Sequence, residues 1–126
     1  MISIKAYDEA RDFEHILESC KKEQWIKFYT TKMEPFRQAL KTSESYVAYD
    51  GERYCGFTRC ITDGYFTIFC CEIIVDKEFR RKGVGRLLLK TVNDKYPTCS
   101  MDVISDNDDF YKANGFKVLA NGMRKV

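Results

Sequence analysis

The chain has 126 residues, of which 44% are hydrophobic and 32% charged, a composition typical of one globular domain and not of a disordered chain. Its net charge of +2 excludes a protein that acts mainly by coating nucleic acid or an acidic membrane. No apolar run approaches the roughly 18 residues of a membrane helix, and the first residues lack the pattern of a signal peptide. We therefore expect a cytoplasmic protein that has neither nucleic acid nor membrane as a partner.

The six cysteines have three possible explanations: disulfides, a metal or catalytic site, or free buried thiols. A chain of this length can build a core without disulfides, and it shows no export signal. It contains no Cys-x-x-Cys pair, and its single histidine, His15, cannot complete a zinc cluster. We predict free thiols, no metal site, and a position for His15 on the surface of a helix.

The first half of the chain predicts a strand and then two helical stretches. Residues 2–4 alternate like a strand, and Asp8 can cap the helix that follows. A second helical stretch covers residues 26–40 and contains Pro35, so we expect a kink or break near Glu34.

The rest of the chain changes to the periodicity of strands. Two tight-turn pairs, Asp50-Gly51 and Asp63-Gly64, predict an antiparallel meander. Pro97 closes the next helix, Asp106 or Asn107 caps a short one, and Gly115 ends it. Six or seven strands are predicted, at residues 2–4, 46–49, 53–61, 65–75, 101–104 and 116–119, with a possible last one at 123–126. Together with about four helices they predict one α/β domain, residues 1–126, with a mixed sheet.

A short basic loop joins the longest predicted strand to the next helix. Gly83 and Gly85 let the backbone approach a ligand closely, and the helix N-terminus adds free donors and partial positive charge. Four cations surround that point: Arg80, Arg81, Lys82 and Arg86. The loop suits a phosphate or pyrophosphate, although a capped helix with solvated charges is the alternative. It is neither a P-loop nor a dinucleotide fingerprint, because Arg86 follows Gly85 and position 88 is leucine.

Three separated motifs carry a family resemblance. Arg80-x-x-Gly83-x-Gly85 resembles the pyrophosphate signature of the GNAT acyltransferase superfamily, whose pattern is Arg/Gln-x-x-Gly-x-Gly/Ala. Residues 110–116, Phe-Tyr-Lys-Ala-Asn-Gly-Phe, are similar to its C-terminal signature, and Gly56-Phe57 also matches. The order of elements agrees along nearly the whole chain. The resemblance implies a mostly antiparallel GNAT sheet, splayed between its fourth and fifth strands.

The resemblance also implies acetyl-CoA as co-substrate and no metal. Backbone N–H groups from Arg81 to Arg86 would hold the pyrophosphate, and the pantetheine arm would pair with the strand edge that ends at Val75. The implied cofactor-binding residues are Ile73, Ile74, Val75, Arg80, Arg81, Lys82, Gly83, Val84, Gly85 and Arg86.

Two residues are implied as catalytic. Tyr111 matches the general acid that protonates the CoA thiolate, and a core tyrosine is the alternative. Glu72 interrupts an apolar strand, so it is a candidate general base, with a structural salt bridge as the alternative. Ile104 stands where members often carry a CoA-contacting asparagine, and helix capping is the expected role of Asn107.

The function implied is transfer of an acetyl group from acetyl-CoA to a primary amine, by direct attack in a ternary complex. The acceptor is a small-molecule or peptide amine, and the protein a monomer or homodimer. Trp25, Phe28 and Tyr29 would line the acceptor pocket or belong to the core. A non-catalytic GNAT-fold module that binds CoA or acyl-CoA and regulates a partner is the alternative, and an unrelated phosphate-binding protein is a third.

Overall fold

Five strands lie side by side in their chain order. The computed structural model describes residues 1–126. The first four strands pair antiparallel, and the fifth pairs parallel with the fourth because a helix crosses over between them. The strands are β1 (Ile2–Ala6), β2 (Glu44–Asp50), β3 (Arg53–Thr62), β4 (Thr67–Val75) and β5 (Ser100–Val103).

Four helices accompany the sheet, which confirms the predicted number. They are α1 (Glu9–Lys22), α2 (Met33–Thr42), α3 (Val84–Lys95) and α4 (Asp108–Ala113), with short 3₁₀ helices at Ile26–Tyr29 and Lys77–Phe79. Side chains alternate along β2, so Val47 and Tyr49 pack in one cluster with α1 and α2. Ala48, between them, packs with Leu88 of α3 in another cluster. The sheet therefore separates two apolar layers.

Helix ends follow local sequence signals. The Asp8 side chain accepts a hydrogen bond from the Arg11 backbone N–H at 3.0 Å, which confirms it as the cap of α1. The second helical stretch is broken earlier than predicted, because α2 begins at Met33 after the 3₁₀ helix has ended. Pro35 lies in the first turn of α2, where the missing N–H has no helical partner to lose.

The prediction of six to seven strands was wrong, because residues 116–119 and 123–126 form no strand. Gly115 has a φ of +89° and reverses the chain, and the Phe116 N–H donates to the Tyr111 carbonyl at 3.0 Å. The Phe116 ring then packs edge-on against Tyr111, with the ring centres 5.3 Å apart. This closure of α4 directs the chain away from a ladder along β5, and Val118 and Leu119 stay exposed.

Strands β4 and β5 are paired over only part of their length. The register begins at Thr67 opposite Ser100 and ends at Cys70 opposite Val103. Strand β4 continues to Val75, so its last five residues have a strand neighbour only on the β3 side. The predicted splay of the two strands stays a prediction.

All six cysteines are free thiols, four of them buried, as predicted. His15 is exposed on α1 and stacks on Tyr54 with ring centres 5.1 Å apart, so its predicted surface position is confirmed. None of the helices has the length and apolar character needed to cross a membrane.

Candidate active site

The loop between β4 and α3 has an unusual backbone. Arg81 has a φ of +64° and Gly83 a φ of +79°, so both lie in the left-handed region. Left-handed backbone is uncommon for a residue with a side chain such as Arg81. Gly83 is also the N-cap residue of α3, but it has no side chain that could accept from the first turn.

Six consecutive backbone N–H groups of this loop have no acceptor within the protein. They belong to residues 81–86, and the first donor of α3 that is bonded is Leu87, whose N–H reaches the Gly83 carbonyl at 3.0 Å. Free N–H groups at a helix N-terminus favour a bound anion. The chemistry of this donor set suits a pyrophosphate, which offers several acceptor oxygens close together.

The basic side chains of the loop have different surroundings. Arg80 donates through Nε to the Val75 carbonyl at 2.7 Å and pairs with Glu23 at 3.1 Å, so it ties the end of β4 to the end of α1. The Lys82 ammonium lies 5.7 Å from the centre of the Phe79 ring. Arg81 and Arg86 are exposed beside the free N–H groups.

Gly85 lies in close contact with an aromatic ring, and its backbone angle does not itself call for a glycine. A Cβ atom there would lie 2.7 Å from Cζ of Phe110, which is closer than real contacts allow. The Phe110 ring in turn packs edge-on against Tyr111, with the ring centres 5.0 Å apart. The second glycine of the loop is therefore coupled through one aromatic ring to the predicted general acid.

A cavity of about 550 Å³ lies beside the unpaired part of β4. Its walls come from the first 3₁₀ helix, from β4, from the end of β5 with the segment after it, and from α4. The lining residues are Trp25, Ile26, Lys27, Phe28, Cys71, Glu72, Ile73, Val103, Ile104, Ser105, Asp106 and Tyr111. The cavity brings together the two predicted catalytic residues, which lie on different elements.

Tyr111 is buried, at 7% exposure, and borders the cavity. Its hydroxyl has no hydrogen-bond partner in the protein, and the hydroxyl oxygen is not fully enclosed by protein atoms. Burial, with smaller contributions from Cys70 and Asp106, raises the pKa of this hydroxyl well above its ordinary value. The group is therefore a protonated donor over the physiological pH range and has no competing acceptor.

Glu72 is held by a two-point ion pair with Arg59. Arg59 donates from two nitrogens to the two carboxylate oxygens, each at 2.6 Å, and the Glu72 side chain is 8% exposed. Arg59 also donates to the Ser43 hydroxyl at 3.2 Å. The salt bridge considered for Glu72 is therefore present. Each carboxylate oxygen keeps a further lone pair, so the pair does not use up the acceptor capacity of Glu72.

Sequence reasoning missed Arg59. The only available signal was the register of the β3–β4 hairpin, which places Arg59 opposite Glu72. Opposite charges at facing positions of an antiparallel pair attract, but the register depends on an irregularity between Arg59 and Cys60 that composition does not reveal.

The aromatic residues considered for the acceptor pocket divide between cavity and core. Trp25 and Phe28 line the cavity and also pack against the core cluster of α1 and α2. Tyr29 packs against that cluster without lining the cavity. Asn107 accepts from the Phe110 N–H at 3.3 Å, which confirms it as the cap of α4, and Ile104 lines the cavity.

Comparison with known proteins identifies the family. The family model described as an acetyltransferase (GNAT) domain matches residues 41–118. The chain therefore belongs to the GNAT acetyltransferase family, as its motifs predicted, and the family uses acetyl-CoA. A comparison with curated proteins gives no match. No group of three or more His, Cys, Asp or Glu side chains is arranged to hold a metal ion.

Solved structures share the fold over the full length of the chain. A GNAT-family acetyltransferase from Streptococcus pneumoniae TIGR4 is 26% identical, with a TM-score of 0.81 over 100% of this chain and 98% of that one. A GNAT-family protein from Xanthomonas campestris pv. campestris is 19% identical, with a TM-score of 0.77 over 100% and 94%. AAC(6')-Iy, solved with the bisubstrate analogue CoA-S-monomethyl-acetylneamine, is 17% identical, with a TM-score of 0.74 over 100% and 97%. The last two show the fold alone.

Proposed function

We propose that this protein is an N-acetyltransferase that transfers the acetyl group of acetyl-CoA to a primary amine by direct attack in a ternary complex. We further propose that residues 1–126 form a single acetyltransferase domain. The observation that carries the proposal is the run of free N–H groups at residues 81–86, because a continuous set of unpartnered donors at a helix N-terminus favours an anionic ligand. The cavity that contains Tyr111 and Glu72 supplies groups suited to acetyl transfer.

The loop and the edge of β4 would share the binding of acetyl-CoA. The N–H groups of residues 81–86 hold the pyrophosphate, with Arg81, Lys82 and Arg86 adding positive charge. The pantetheine arm lies along Ile73, Ile74 and Val75, as an added strand does at an open edge. The proposed splay between β4 and β5 gives it room.

The direction of the backbone on β4 supports this placement. The Asp76 N–H donates to the Cys55 carbonyl on β3 at 2.8 Å. Successive N–H groups of an extended strand point to opposite sides, so those of Val75 and Ile73 turn toward the open edge. One of them can donate to the thioester oxygen as negative charge develops there.

Bound acetyl-CoA supplies an acetyl thioester as the acyl donor. The uncharged amine nitrogen attacks the carbonyl carbon, a C–N bond forms and the C–S bond breaks, and the sulfur keeps the electron pair of that bond. Tyr111, which its raised pKa keeps protonated at neutral pH, donates its hydroxyl proton to this sulfur. The tyrosine then regains a proton from solvent, so the products are an amide and free CoA.

Glu72 accepts the proton that the amine must lose. The two hydrogen bonds from Arg59 fix the orientation of the carboxylate, and a free lone pair on either oxygen receives an amine N–H directly or through water. Glu72 thereby holds the amine beside the thioester and passes its proton to solvent. Glu72→Gln keeps the shape but removes the charge, so we expect a lower kcat with acetyl-CoA affinity unchanged.

The alternative is a GNAT-fold module that binds CoA or acyl-CoA without turnover. The same loop would serve both functions, so binding alone does not separate them. Tyr111 favours the enzyme, because its hydroxyl borders the cavity and has no structural partner that would explain it.

A calorimetric titration with acetyl-CoA tests the loop. Gly83→Asp adds a side chain and a negative charge where the anion would lie, so affinity should fall at least about tenfold. Gly51→Asp is the matched control, because Gly51 also has a positive φ and open space around its Cβ position, but it lies in the β2–β3 turn. Equal affinities in the two variants would contradict the loop assignment.

An assay of CoA release with a panel of amines then tests the activity. Amine-dependent release at saturating acetyl-CoA is the expected result. Tight binding of acetyl-CoA without release for any amine would favour the non-catalytic module.

A further inference from the structure

The part of the cavity lining that comes from outside β4 and α4 is largely apolar. The first 3₁₀ helix and the residue before it contribute Trp25, Ile26 and Phe28. The end of β5 and the residue after it contribute Val103 and Ile104. The Ile26 side chain is 60% exposed, although it belongs to a cavity wall. An exposed isoleucine beside a tryptophan and a phenylalanine forms a surface on which an apolar ligand binds favourably, because binding removes apolar area from water.

The charges that line the cavity nearly cancel. Its charged lining residues are Lys27, Glu72 and Asp106. The Glu72 charge is already matched by Arg59, and the rest of the lining holds one positive side chain, Lys27, and one negative side chain, Asp106. A ligand with several ammonium groups would therefore find at most one unmatched carboxylate, which is too little to repay the desolvation of its charges.

We propose that the acceptor is a primary monoamine whose single ammonium group is attached to an apolar, preferably aromatic, body. This inference rests on the proposed function. The amine nitrogen lies at Glu72, within reach of the thioester, and the apolar body covers Trp25, Ile26 and Phe28. Polyamines and aminoglycosides are poor acceptors, because their remaining charges would lie against the apolar wall.

The test compares kcat/KM for CoA release with three probes: 2-phenylethylamine, spermidine and kanamycin. We expect 2-phenylethylamine to be favoured over both polycations by at least about tenfold, the lower end of what an apolar contact discriminates. The KM for 2-phenylethylamine should change little between low and high salt, since burial of its ring and not long-range charge attraction provides its affinity.

A substitution that puts a charge on the apolar wall gives the sharper test. Ile26→Glu places a carboxylate on the exposed wall, so it should lower kcat/KM for 2-phenylethylamine and raise it for spermidine, each by about tenfold. Ile61→Glu is the matched control, because Ile61 is 50% exposed on β3 and does not line the cavity. It should leave both values within about twofold, within the scatter expected of a distant site.

The outcomes separate this inference from the proposed function. Faster acetylation of spermidine or kanamycin than of 2-phenylethylamine overturns the monoamine inference and leaves the acetyltransferase activity standing. An unchanged preference in Ile26→Glu also overturns it. CoA release with none of these amines would overturn the proposed function itself.

Discussion

Tyr111→Phe isolates the hydroxyl group on which the proposed chemistry depends. The ring contacts Phe110 and Phe116 at centre distances of 5.0 and 5.3 Å, and phenylalanine preserves both contacts. The hydroxyl has no hydrogen-bond partner in the protein, so its removal leaves no donor or acceptor unpaired. The free energy of unfolding should therefore change by less than about 1 kcal/mol, and acetyl-CoA affinity should stay the same.

The expected loss of activity is much larger than the loss of stability. A positioned general acid contributes about 10²- to 10⁴-fold to the rate. At about 1.36 kcal/mol for each factor of ten, this corresponds to about 2.7 to 5.4 kcal/mol in the activation free energy. Because the pKa of Tyr111 is raised, the parent enzyme should also keep its activity at alkaline pH until that hydroxyl ionises.

The assay measures amine-dependent CoA release at saturating acetyl-CoA, with release in the absence of amine subtracted. Tyr65→Phe is the control for hydroxyl removal, since Tyr65 is 82% exposed in the β3–β4 turn and does not line the cavity. Urea unfolding and acetyl-CoA titration of each variant show whether fold and binding are intact. A Tyr111→Phe protein that keeps parental turnover under these conditions would refute the role of Tyr111 as general acid.

Three further predictions concern the loop, the core and metals. Gly85→Ala should cost about 1–3 kcal/mol of stability in urea unfolding and should lower turnover, because its Cβ would displace the Phe110 ring that packs on Tyr111. Burial by itself would raise the pKa of Asp12, but the hydrogen bonds that its carboxylate accepts, including those from Arg11, outweigh burial and lower the pKa. The parent protein should therefore lose stability as the pH falls below about 4. Asp12→Ala should lower the free energy of unfolding by about 1–3 kcal/mol at pH 7, and the variant should lose less stability at acid pH than the parent does. Measurement of Tm as a function of pH would show both effects. Turnover should be unchanged by excess EDTA, because the sequence offers one histidine and no ligand cluster, and a loss restored by a divalent ion would contradict this.

The sequence alone determined the features that depend on local chemistry. Asp8 and Asn107 cap helices because their side chains reach N–H groups three residues ahead. The Asp63-Gly64 turn forms because the Asp63 carboxylate accepts from the N–H groups of the residues that follow. The glycine pattern of the loop identified both the family and the place where free donors would collect. Such signals act within a few residues, so they can be read without knowing what lies across the fold.

The tertiary structure decided which side chains meet. Next to the β3–β4 turn the two strands pair residue for residue, up to Cys60 opposite Cys70. The same register continued by one residue would place Arg59 opposite Cys71. The irregularity after Cys60 instead places Arg59 opposite Glu72, so the pair that orients the candidate base depends on one residue of slippage. The predictions of strands at residues 116–119 and 123–126 were wrong for a related reason. Their alternating apolar residues permitted a strand, but the Phe116 N–H is bonded to Tyr111 and no neighbouring strand extends the sheet beyond β5. A strand needs a partner edge, and the availability of that edge is a property of the whole fold.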